Sequence, residues 1–221
     1  MTKSWWKLLG CALLLYSVIG GFLMPVPVLP ILNESIRNLY FHVPMWFAMI
    51  SLYFVSVVYS LKYLGSGKIE DDLLAVESVN TGVIFCFFGL ISGSLWANIT
   101  WGDPWPNDPK LNGSAIATLM YLAYLVLRNA IDEEQKRAKI SAVYNVFAFP
   151  VMIVLIYILP KLTDSLHPGS GGNAAFSALP MDNMLRLVFY PAVLGWVLTA
   201  VWIMTLRYRI RLLENRHNTI S

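Results

Sequence analysis

The sequence predicts an all-α, polytopic membrane protein with about six transmembrane helices and both termini cytoplasmic. Three observations lead there. Hydrophobic residues make up 57% of the 221 residues and charged residues only 13%, with a mean hydropathy of +0.59, far from the composition of an ordinary soluble domain. The 16 basic and 13 acidic side chains fall in clusters separated by long uncharged stretches. The basic residues are concentrated in alternate clusters.

The uncharged stretches run approximately from Leu8 to Leu29, Val43 to Leu61, Val79 to Ile99, Ser114 to Leu127, Ser141 to Leu159, and Leu187 to Leu206. A charge at the centre of a membrane helix costs about 2.5 to 3.5 kcal/mol, so six stretches without Asp, Glu, Lys or Arg favour lipid over a soluble helical core. Backbone hydrogen bonding in lipid then requires helices. The first stretch follows Lys3 and Lys7 but has no small-residue cleavage site after it, and it reads as an uncleaved helix. Pro25, Pro27 and Pro30 break that helix at its outer end. The length leaves room for one membrane domain, residues 1–221, and little else.

Twelve of the basic residues lie at the N-terminus and in the second, fourth and last polar segments: Lys3, Lys7, Lys62, Lys68, Arg128, Lys136, Arg137, Lys139, Arg207, Arg209, Arg211 and Arg216. The opposite segments hold only Arg37, Lys110, Lys161 and Arg186. This asymmetry makes the first set cytoplasmic. The short charged segments Lys68 to Glu77 and Asp132 to Lys139 read as solvated cytoplasmic loops, the alternative being that either pairs with a cytosolic partner. Gly89 and Gly93 form a small-xxx-small pair that predicts close helix packing without implying chemistry. Cys11 and Cys86 both lie inside spans, no disulfide is expected, and no Cys-x-x-Cys-His haem-attachment motif occurs.

The outer segments are different in kind. The first ends in IRNLYFHVPMW, with His42 at the mouth of the second span. The second, residues 97–114, reads ANITWGDPWPNDPKLNGS, and the third, residues 160–186, holds His167. Trp5, Trp6, Trp46 and Trp96 suit an interfacial aromatic belt. Trp101 and Trp105 sit in a loop shaped by Gly102, Pro104 and Pro106, which a simple anchor does not need. Two imidazoles at one rim beside aromatic rings suit axial ligation of a haem iron, with Arg37, Lys110, Lys161 or Arg186 available to carboxylates. The plainer alternative is a pair of hydrogen-bonded interfacial histidines. Asp103 and Asp108 with the histidines suggest a metal or acid/base site, but tight chelating spacing is absent. Asp108 is expected to cap the following helix or orient a neighbouring donor.

These residues carry a resemblance. R-x-x-Y-x-H-V-P at Arg37 to Pro44, G-S-x-W at Gly93 to Trp96, WGDPWPNDPKLNGS at Trp101 to Ser114 and L-H-x-G-S at Leu166 to Ser170 resemble the CcmC/CcsA family of haem-handling proteins, marked by a tryptophan-rich "WWD" loop. The family pattern W-G-x-W-W-x-W-D has tryptophans where Pro104 and Asn107 stand. The resemblance implies that His42 and His167 are axial ligands of haem b. It implies that Trp101, Gly102, Trp105 and Asp108 form the haem platform and that Arg37 meets a propionate or a chaperone. It further implies presentation of haem to the periplasmic chaperone CcmE, at the bacterial inner membrane, with the ATPase CcmA and the membrane subunit CcmB as partners. The chain has no G-x-x-x-x-G-K-[ST] phosphate loop, so any ATP hydrolysis belongs elsewhere and no enzyme activity is expected. The alternatives are a permease or ion-coupled transporter, which usually carries ionisable groups within the membrane, and a direct haem-lyase relative of the CcsA type.

Overall fold

A computed structural model describes residues 4–167 and 182–220, with side chains through residue 215. Pro168, Gly169 and Ser170 of the last motif, and the side chain of His217, lie outside the described residues. Helix α1 spans Trp5–Leu23, and a 3₁₀ turn at Asn33–Asn38 leads into α2, Leu39–Ser66. Then follow α3 (Ile69–Trp101), α4 (Pro109–Asn129), α5 (Glu134–Ile153), a π-turn at Val154–Ile158, α6 (Leu159–Leu162) and α7 (Asn183–Ile220). With α5, the π-turn and α6 taken as one continuous segment, six segments are long and apolar enough to cross a membrane. No strand occurs among the described residues.

Many large apolar side chains face outward while small and polar ones are buried. Phe22, Phe54, Phe88, Leu95, Leu119 and Phe147 are exposed, while Gly10, Ser17, Ser56, Ser60, Ser78, Thr81, Ser141 and Asn145 are buried. Lipid is as apolar as leucine, so large apolar side chains gain little by turning inward; small residues let backbones approach. A Cβ on Gly10 would stand 3.2 Å from Leu198 Cβ, and one on Gly195 3.1 Å from Leu13 Cβ, which is how α1 seats on α7. Helix α2 is central and packs on α3, α5 and α7.

The prolines end α1 as expected, and the structure shows what replaces the lost hydrogen bond. Pro25 has no N–H to offer the Gly21 carbonyl one turn earlier. Arg37 Nη1 takes that carbonyl at 2.7 Å and the Met24 carbonyl at 2.8 Å, while its Nε pairs with Glu34 Oε2 at 2.6 Å. Arg37 is thus a cap on the end of α1.

The helices are longer than the uncharged stretches, and both solvated-loop readings fail for that reason: residues 134–139 are the first turns of α5, with Ala138 fully buried. Residues 69–77 are not a solvated loop but the first turns of α3, whose Glu70, Asp71 and Asp72 suit the positive end of a helix. Asp72 is buried and accepts from both arms of Arg128 on α4, at 2.7 and 2.5 Å. Glu77, also buried, accepts from Arg207 Nε at 2.7 Å and Arg211 Nε at 3.1 Å on α7. These ion pairs join α3, α4 and α7 at the end of the bundle opposite His42.

Candidate functional site: a two-imidazole rim

At the other end, the starts of α2 and α4 meet the ends of α3 and α6. Gly102 ends α3 in the left-handed conformation, φ +78°, with its N–H on the Asn98 carbonyl at 3.1 Å. That conformation favours glycine, and it stops α3 immediately after Trp101. The Trp101 ring lies edge-on to His167, centroids 5.1 Å apart.

The loop after Gly102 is held by its polar residues. Asp103 Oδ1 accepts from the Trp105 amide at 2.9 Å, and the Pro104 carbonyl accepts from Ser94 Oγ at 2.9 Å. Asn107, at a family tryptophan position, accepts from Asn112 Nδ2 at 2.9 Å; Asn112 Oδ1 in turn accepts from Trp105 Nε1 at 3.3 Å. The amides therefore fix Trp105, which stays 39% exposed.

Asp108 both caps α4 and orients a donor. Its Oδ1 accepts from the Lys110 and Leu111 amides at 2.9 and 3.2 Å and lies 2.9 Å from His167 Nδ1. Its Oδ2 accepts from Ser165 Oγ at 2.7 Å and the Leu166 amide at 2.8 Å. Burial pushes the carboxyl up, but the hydrogen bonds from His167, Ser165 and Leu166 outweigh it and hold Asp108 well below the usual carboxylate range. An ionised carboxylate only accepts, so His167 Nδ1 carries the proton and Nε2 keeps its lone pair. Burial pushes the His167 imidazole down, Asp108 opposing this without overcoming it, so the ring is neutral at pH 7. Asp108 is 1% exposed and meets the site only through His167.

His42 is held in the same sense from a different element. Its Nδ1 lies 3.1 Å from Ser92 Oγ, whose own proton is on the Phe88 carbonyl at 2.7 Å. The serine oxygen therefore accepts, His42 Nδ1 donates, and Nε2 is again the bare nitrogen. A Cβ on Gly93 would fall 2.6 Å from His42 Cε1, and one on Gly89 2.9 Å from Trp46 Cε2. The glycine pair packs α2 against α3 as expected, with Gly93 beneath His42 and Gly89 beneath Trp46.

Two further expectations change. Trp46 and Trp96 are not simple belt residues: both rings stand edge-on to His42, at 6.2 and 5.8 Å, and Trp96 Nε1 donates to Ser35 Oγ at 3.2 Å. The sequence held a signal for Trp46, one turn beyond His42 on the same helix face. Trp96 was signalled only through the G-S-x-W motif, and Ser92 not at all, both being on a different helix. His42 and His167 lie within electrostatic range of each other and of Lys110. Arg186, at the start of α7, has its Nε buried with no hydrogen-bond partner among the described residues. Lys161 rests over the Tyr157 ring at 3.9 Å.

On each of the two imidazoles Nδ1 is engaged by a hydrogen-bond partner and Nε2 is the nitrogen left with a lone pair, the arrangement usual for a metal-ligating histidine. No group of three or more His, Cys, Asp or Glu that could hold a metal ion occurs among the described residues.

The fold defines a class: a multi-pass, all-helical membrane protein, here with two histidines, each held through Nδ1, at one end of the bundle. Within that class the chain belongs to the Heme exporter protein C family, CcmC, whose model matches residues 1–221. It is 25% identical over 202 residues to the Heme exporter protein C of Paracoccus denitrificans, covering 90% of this chain and 81% of the relative. It is 33% identical over 161 residues to that of Bradyrhizobium diazoefficiens, covering 71% and 59%. A segment of 89 residues is 38% identical to the cytochrome c biogenesis protein CcsA of Prochlorococcus marinus, covering 40% of this chain and 27% of that one.

Proposed function

We propose that this chain handles haem in cytochrome c biogenesis, binding haem b through His42 and His167 at the periplasmic face of the bacterial inner membrane and presenting it to the haem chaperone CcmE. One observation carries the reading: on two separate elements, a hydrogen-bond partner takes Nδ1 of a histidine and leaves Nε2 free for iron. Membership of a family whose members are named for haem export supports it.

In this reading the Nε2 atoms of His42 and His167 would hold the haem iron, which the bound haem would supply. Asp108 fixes the tautomer of His167, as Ser92 does for His42. Trp101 packs on the His167 edge. Gly102 sets the bend that lets the platform form, and the exposed Trp105 offers the rim a surface for the chaperone. Lys110 and the Arg186 Nε answer the propionates. Arg37 is largely committed to the end of α1, so its part in contacting haem or chaperone is carried by the rest of its guanidinium. The haem is bound and passed on without chemistry on this chain, and ATP hydrolysis is supplied by CcmA with CcmB as membrane partner.

The visible spectrum of the detergent-purified protein tests this. A bis-histidine b-type spectrum is expected, weakened or lost in His42→Ala and in His167→Ala. An unchanged spectrum in both variants overturns the ligand assignment. Direct ligation to apocytochrome, the CcsA-type reading, predicts haem covalently joined to apocytochrome with no chaperone present.

A further inference from the structure

Helix α4 carries a buried polar face: Ser114, Thr118, Tyr121, Tyr124 and Arg128 recur at helical spacing, and all are buried, with the buried cap Asp108 just before the helix. At its middle the Tyr121 ring stacks on Tyr53 of α2, with centroids 3.6 Å apart and planes 12° apart. Both side chains are fully buried, and neither hydroxyl has a hydrogen-bond partner among the described residues. Beside them, Cys86 Sγ lies 3.0 Å from Thr118 Oγ1, and the Thr118 proton is on the Ser114 carbonyl at 2.7 Å. The Tyr53 hydroxyl lies within electrostatic range of that thiol.

A second group of orphaned atoms lies between α2 and α5. Asn145 Nδ2 donates to Ser56 Oγ at 2.6 Å and Ser60 Oγ at 2.9 Å. Ser56 spends its own proton on the Ala75 carbonyl at 2.8 Å, so it can only accept, which fixes the amide orientation. Asn145 Oδ1 is then left without a partner among the described residues, as is Ser141 Oγ one turn earlier on the same helix. Nothing in a hydrocarbon core can relieve such groups, and the chain could have placed apolar residues of like size there.

We infer that the interior of this helix bundle binds ordered water, at the Tyr53–Tyr121 hydroxyls and at Asn145 Oδ1 with Ser141 Oγ. Each water takes the hydrogen bonds that the protein leaves open, and a buried water commonly makes about three. The hydrated face of α4 then links the Asp108 clasp at one end to the Arg128–Asp72 pair at the other. The same hydroxyls in a dry core would weaken the bundle, because a polar atom buried without a partner is a net loss.

X-ray radiolytic footprinting of the full chain in lipid nanodiscs, in ¹⁸O-water, tests this. Bound water activated inside the bundle labels the side chains touching it. Phe85, an aromatic residue in the same core and similarly buried at 3% exposure, is the reference. Tyr53 and Tyr121 are expected to take up ¹⁸O several-fold faster than Phe85; labelling as slow as Phe85 overturns the inference. As a second arm, the Tyr53→Phe and Tyr121→Phe variants are expected to lower Tm through lost water bridges. An unchanged or higher Tm in both marks the hydroxyls as dry and overturns it. Neither arm involves haem, so the outcome is independent of the ligand assignment.

Discussion

Asp108 and His167 are 59 residues apart in the chain and 2.9 Å apart in space, and the carboxylate decides which nitrogen of the imidazole is bare. That contact brings two motifs from separate loops together. It also explains why the acid closing the tryptophan loop is buried: it works on the histidine from behind.

Replacing Asp108 with Asn tests that role. The amide keeps the shape, but its NH₂ can donate to Nδ1 and favour the wrong tautomer. Haem affinity is expected to fall by about 10- to 100-fold, the usual consequence of losing an outer partner of a ligand. Haem titration of the detergent-purified variant measures it, and wild-type affinity would show that the contact serves only the α4 cap.

Gly93→Ala puts a methyl 2.6 Å from His42 Cε1. The imidazole must tilt, because α2 and α3 are locked together beneath it. The expected result is a weakened or altered low-spin haem spectrum with Tm little changed. A normal spectrum would mean that the rim adapts to the methyl at no expense to ligation.

Arg128→Met leaves Asp72 buried without its partner. Such a break costs about 3 to 5 kcal/mol, whereas removing both charges is far milder. Thermal unfolding in detergent is expected to show a large loss of Tm for Arg128→Met and substantial recovery in Asp72→Leu/Arg128→Met. Equal losses in the single and double variants would argue against a true buried pair.

Trp105→Ala separates delivery from folding. The ring is partly exposed and contacts the loop through Asn112, so Tm is expected to stay near wild type. Haem-loaded chaperone is expected to fall in a co-expression assay, and undiminished loading refutes the delivery role.

Arg37→Ala strips the cap from the Gly21 and Met24 carbonyls. Lost Tm with the positions of the haem bands unchanged is the expected signature of that structural duty. A spectral shift without loss of stability would instead point to direct haem contact.

Much of this was legible in the chain. Helix number followed from the absence of charge over six stretches, because an unpaired charge in lipid is expensive wherever it stands along the helix. The break after α1 followed from Pro25, whose missing N–H is a local fact. The two histidines and the tryptophan loop were recognisable because their motifs are short and contiguous. What failed was any judgement that needed a partner from another helix. Residues 69–77 looked solvated because the arginines answering Asp72 and Glu77 lie far along the chain. Gly93 was legible as packing, but not as packing beneath His42, because that ring belongs to α2.

By itself, then, the sequence determined which segments enter the membrane and which residues gather at each end, since hydropathy and backbone chemistry act locally. Only the tertiary structure decided which nitrogen of His42 and of His167 stays bare, and that Trp46 and Trp96 flank one of them. Tautomer, ring contact and ion pairing are set by atoms within a few ångströms, and those neighbours are chosen by how helices pack.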